Sequence, residues 1–84
     1  MPEVKVSLKN IAKLTKQLLE KYNIPYNEIK ISEGEKEDDT DYIIAIYTKK
    51  DLPFNKIMEI KQKLYNELKV ILKSEKFIVA YLPA

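Results

Sequence analysis

The sequence predicts a single two-layer α+β domain spanning 1–84, with two helices on one face of a small, mainly antiparallel sheet. Three observations carry this. Leu8 to Tyr22 and Pro53 to Leu72 place their apolar residues at helical spacing. Asn27 to Ser32, Asp41 to Thr48 and Lys76 to Leu82 read as strands. Each helix has one apolar stripe, and a stripe of that kind is stable only when a sheet or another helix covers it.

The chain opens on an alternation, with Val4, Val6 and Leu8 on one side and Lys5 and Ser7 on the other, which reads as a short first strand over Glu3 to Leu8. Ser7 is equally suited to cap the helix that follows, because its hydroxyl can accept a free amide hydrogen of the first turn. In that helix Leu8, Ile11, Ala12, Leu18, Leu19 and Tyr22 form the stripe, Thr15 fills its gap and Leu14 lies at its edge. Asn23-Ile24-Pro25 ends it, since a residue before proline is pushed away from helical angles.

Asn27 to Ser32 switches to a period of two, with Ile29 and Ile31 inward. A nine-residue polar connection over 33–41 follows, holding six acids and the only glycine, Gly34. Asp41 to Thr48 sets Tyr42, Ile44, Ile46 and Thr48 against Ile43, Ala45 and Tyr47, so the two strands read as a hairpin with an acidic tip. Asp51 and Asn55 are the candidate caps of the long helix, whose stripe comprises Ile57, Ile60, Leu64, Leu68 and Ile71, widened by Phe54 and Leu72. Val70-Ile71-Leu72 is also strand-like, but it continues the stripe. In the last strand Phe77, Val79 and Tyr81 oppose Ile78, Ala80 and Leu82.

With the first strand the order is β-α-β-β-α-β, which resembles the ferredoxin-like arrangement. Without it the order is α-β-β-α-β, which resembles that of type II K-homology and related small domains. The resemblance is one of element order. The chain has neither a Gly-x-x-Gly between helices nor a Lys/Arg-Gly-Phe/Tyr pattern on a strand, so it carries no functional residue across.

The composition excludes much chemistry. Without cysteine or histidine there are no disulfides, thiolate or imidazole metal ligands, or Ser/His and Cys/His dyads. All fifteen basic residues are lysine, so anions can be held only as by point charges, without the guanidinium fork. No apolar run approaches the roughly 18 residues of a membrane span and no secretory leader is evident, which predicts a cytoplasmic protein with no membrane partner. The surplus of Lys, Glu, Ile and Tyr resembles the bias of thermophile proteins.

The most informative feature is that the last two strands are apolar on both faces, whereas a sheet with one wet face should alternate. Some apolar surface is therefore left over whichever parity points inward; if Ile44, Ile46, Ile78 and Ala80 pack under the helices, Ile43, Tyr47, Phe77, Val79 and Tyr81 face out, with Tyr47, Phe77, Val79 and Tyr81 the candidate anchors of an interface. This predicts a non-enzymatic interaction module that homodimerises through the helix-free sheet face, or is covered there by its terminal residues or by another protein. The alternative is a nucleic-acid-binding protein in which Lys9, Lys13 and Lys16, spaced along one face of the first helix, meet phosphates while the same aromatics stack on bases. The plain account of those lysines is a solvated helix face, and the net charge of +2 is small.

Asp38, Asp39 and Asp41 are oxygen ligands at close spacing, but they do not form a calcium loop, and a solvated tip is the plain reading. Lys61 falls inside the apolar stripe of the long helix. Its alkyl stem is expected to cover the core edge while its ammonium reaches water. No cofactor, metal site or catalytic constellation is predicted.

Overall fold

The computed structural model describes residues 7–34, 37, 39–73 and 76–83. Helix α1, Leu8–Lys21, starts at Ser7, whose extended backbone turns the hydroxyl to accept the Asn10 amide at 3.2 Å. It ends as the sequence predicts, through a specific geometry. Asn23 adopts the left-handed φ of 54°, which asparagine tolerates better than most side chains. The Asn23 amide then donates to the Glu20 carbonyl at 3.3 Å and the Ile24 amide to the Leu19 carbonyl at 2.8 Å, a Schellman closure that turns the chain toward the sheet.

Strand β1, Glu28–Glu33, pairs antiparallel with β2, Tyr42–Thr48, setting Ile29 beside Ile46 and Ile31 beside Ile44. Helix α2, Phe54–Leu72, then carries the chain back so that β3, Phe77–Pro83, pairs parallel to β2. A parallel neighbour requires such a crossover, and the helix supplies it. The sheet order is β1-β2-β3. The sheet is thus mixed, with one antiparallel and one parallel pair, where a mainly antiparallel one was expected.

Among the described residues the order is αββαβ with three strands. The additional strand that a ferredoxin-like order needs falls largely on residues 3–6, outside the described residues. Ser7 and Leu8, read as its end, are instead the cap and first residue of α1.

Both helices cover one face of the sheet. Tyr42, Ile44 and Ile46 of β2 and Phe77, Val79 and Tyr81 of β3 share a core with Ile11, Leu18 and Leu19 of α1 and Ile60, Leu64, Leu68 and Leu72 of α2. This corrects the placement of three expected interface anchors. Phe77, Val79 and Tyr81 are 8%, 7% and 2% exposed and point under the helices. The parallel register is the cause, because it aligns them with Tyr42, Ile44 and Ile46, which already face inward.

The long helix departs from the predicted stripe at both ends. Ile60, Leu64, Leu68 and Leu72 are buried, but Phe54 is 76% and Ile71 40% exposed. A row of residues four apart is inclined to the helix axis, so the buried line slants and Ile71 falls to one side of it. Neither Asp51 nor Asn55 caps the helix. Pro53 occupies that position with φ −65° and ψ 153°, and no side chain bonds the first turn. Proline is already fixed at the φ this site needs. Lys61 is half-buried, beside Met58, Tyr65 and Val79, where its stem was expected.

Candidate functional site

The helix-free face of the sheet is a small grid. Reading across the strands, Ser32, Ile43 and Ile78 form one rung, Lys30, Ala45 and Ala80 the next, and Glu28, Tyr47 and Leu82 the third. The β1 column is polar, and the β2 and β3 columns are entirely apolar or aromatic. None of these residues belongs to the core cluster. Ile78 and Leu82 are 50% and 41% exposed, the largest values on the face among its aliphatic side chains.

The relief of this face matters as much as its chemistry. Ala45 and Ala80 are register partners, so the central rung carries the smallest apolar side chains of the face, between Ile43 and Ile78 on one side and Tyr47 and Leu82 on the other. At the margin the Lys30 ammonium lies 5.8 Å from the centre of the Tyr47 ring and 3.9 Å from a Glu28 carboxylate oxygen. An exposed ion pair of that length contributes little stability, but it leaves one charge of each sign beside the apolar columns.

Of the anchors predicted from sequence, only Tyr47 lies here. Lys9, Lys13 and Lys16 are exposed on α1. The buried residues of α1 meet the sheet, so these lysines lie beyond the helix layer, with the sheet between them and Tyr47. The structure does not bring the lysine row and the aromatics onto one surface, and Phe77 and Tyr81 have no free ring face for a base.

The three buried anchors have structural partners. The Phe77 ring packs on Tyr65 with centroids 4.9 Å apart and planes at 31°. The Tyr81 hydroxyl donates to the Pro25 carbonyl, tying β3 to the connection after α1. Burial pushes the Tyr81 phenol above its usual range, an effect partly offset by a hydrogen bond with Thr48.

Two acids of this connection, Asp39 and Asp41, are engaged. Asp39 forms an ion pair with Lys76, and the Asp41 carboxylate accepts the Lys76 amide at 2.9 Å. The hydrogen bond with Asp39 is the main cause of a raised Lys76 ammonium pKa. The Gly34 amide donates to the Asp41 carbonyl at 3.0 Å. Asp38, the third expected oxygen ligand, lies outside the described residues. Among the described residues, no group of three or more acidic side chains is placed to hold a metal ion.

A second cluster had no signal in the sequence, because its members lie far apart along the chain. The Tyr22 hydroxyl donates to Glu67, and the Lys63 ammonium sits 4.1 Å from the centre of the Tyr22 ring, joining the end of α1 to the side of α2. The hydrogen bond to Glu67 raises the Tyr22 phenol, with burial and the carboxylate charge adding to it. Comparison with known protein families, with curated proteins and with solved structures finds no match to this chain.

Proposed function

We propose that this chain is a cytoplasmic, non-enzymatic interaction module that pairs with a second copy of itself through the helix-free face of the sheet. One observation carries the reading. β2 and β3 are apolar on both faces, and the two helices cover only one of them. A domain this small buries a limited share of its surface on folding, so covering a second apolar face brings it a larger relative gain than it would a large protein. The small central rung between larger flanking rungs suits a two-fold partner, whose larger side chains can pack over the small ones when the faces cross. Among the described residues no helix is long and apolar enough to cross a membrane. The lysine-rich, cysteine-free composition suits a thermophilic source.

Light scattering at micromolar concentration tests this. The expected mass is twice the 9.9 kDa of the chain. Replacing Ile78 and Leu82 together by Glu should return the mass to that of one chain with the fold intact, because both side chains already face water in the single chain. Persistent single-chain mass at high concentration would overturn the proposal. Tyr81→Glu is unsuitable as a probe, since it would place a charge in the core.

A further inference from the structure

On the helix side of the molecule, at the end where α1 stops and α2 starts, a cleft of about 480 Å³ opens. That falls within the roughly 300–1,000 Å³ of small-molecule sites. Ile24 and Ile60 are nearly buried and form its deep part, with Pro25 and Leu52 extending the apolar lining outward. Lys50 reaches it from the turn after β2, and Lys56 and Lys63 line it from one side of α2. We infer that this cleft binds a small amphipathic organic anion, its flat apolar part on Ile24, Pro25, Leu52 and Ile60 and its phosphate or carboxylate head among the three lysines.

The lysines differ from those of an ordinary solvated face in how they are held. Lys63 rests on the Tyr22 ring, and the Tyr22 hydroxyl is fixed by Glu67, so that ammonium is positioned at the cleft wall before any ligand arrives. Lys50 is carried on a pinned turn, where its own amide donates to the Thr48 hydroxyl at 3.1 Å and the Lys49 amide to the Asn27 side chain at 2.7 Å. Lys56 belongs to the first turns of α2, which has no acidic residue in its first turn and no side-chain cap, so the positive end of the helix dipole is not neutralised there. The acid in the lining, Glu59, is 3.9 Å from Lys56 and opposes one of the three charges, which leaves the site cationic. The apolar lining supplies the second half of the specificity, since inorganic phosphate alone would leave it wet.

Titration of the isotopically labelled full chain at low ionic strength, followed by amide NMR, tests this with four probes: adenosine 5′-monophosphate, 4-phenylbutyrate, inorganic phosphate and adenosine. At least one of the two amphipathic anions should saturate shifts confined to residues 22–25 and 50–63, and which of them binds tighter identifies the head group. Inorganic phosphate and adenosine should each bind about tenfold more weakly or worse, a difference of about 1.4 kcal/mol. Lys50→Gln and Lys63→Gln should each weaken binding by about threefold or more without altering the rest of the spectrum, and Lys13→Gln should not weaken it. No saturable shift with either amphipathic anion would overturn the inference. So would equal binding of phosphate or adenosine, or shifts spread along Lys9, Lys13 and Lys16.

Discussion

Tyr81 shows how one residue can be misplaced by sequence reasoning and then explained by structure. In Phe77-Ile78-Val79-Ala80-Tyr81-Leu82 every position is apolar or aromatic, so there is no alternation from which to read the inward side. Only the register with β2 decides it. Once inward, the Tyr81 hydroxyl needs a partner, and the Pro25 carbonyl provides one. Tyr81→Phe should therefore cost about 1 kcal/mol in urea unfolding at neutral pH. Its pH dependence follows from the raised phenol. The folded state favours the protonated form, so this contribution is complete below the ordinary value of 10.0 and is lost as pH climbs from there through the folded pKa. The gap between Tyr81→Phe and the unaltered chain should accordingly narrow in unfolding curves above pH 10.0. Gly34 is a second such position. A Cβ there would lie 2.2 Å from the Thr40 carbonyl oxygen, a backbone atom that can move only with its strand connection. Gly34→Ala should destabilise by roughly 1–3 kcal/mol in the same measurement, because the added methyl forces a backbone shift.

Among the elements, those with strong local signals are legible. Ser7 caps α1 where the sequence places a cap, and Asn23 stops it. Ser7→Ala should lower stability by about 1 kcal/mol through the lost Asn10 hydrogen bond, seen as a reduced midpoint in thermal unfolding. The long helix also runs through Val70-Ile71-Leu72 as its stripe implied, with Leu72 buried. Its cap was not legible, because Asp51 and Asn55 are better capping residues by type, yet the geometry favoured Pro53. The parallel pairing of β3 was not legible either. Strand direction depends on how α2 crosses the sheet, and periodicity within a strand carries no information about that.

For the molecule as a whole, the sequence revealed the layering and the excess of apolar strand surface, but assigned that surface to the wrong side chains. Ile43 and Tyr47 remain outer residues, while Ile78, Ala80 and Leu82 take the places of Phe77, Val79 and Tyr81. The excess itself survives this exchange, because both parities of β3 are apolar. If a second copy covers it, the melting temperature should rise with protein concentration, and the Ile78→Glu, Leu82→Glu chain should lose that dependence. The candidate cleft was invisible at this scale, since its lysines look like any others until folding gathers them around Tyr22 and Leu52.

The clamp between Asp41 and Lys76 joins positions 35 residues apart at the point where β2 and β3 both begin. Chain-closure entropy makes such a join late, whereas β1 and β2 are neighbours in the chain and can meet within microseconds. The β1–β2 hairpin is therefore expected to form before β3 pairs with β2 beneath the crossing helix. Until that pairing forms, apolar side chains on both faces of β2 would meet water, so rapid completion of the sheet protects the chain from sticking to its neighbours.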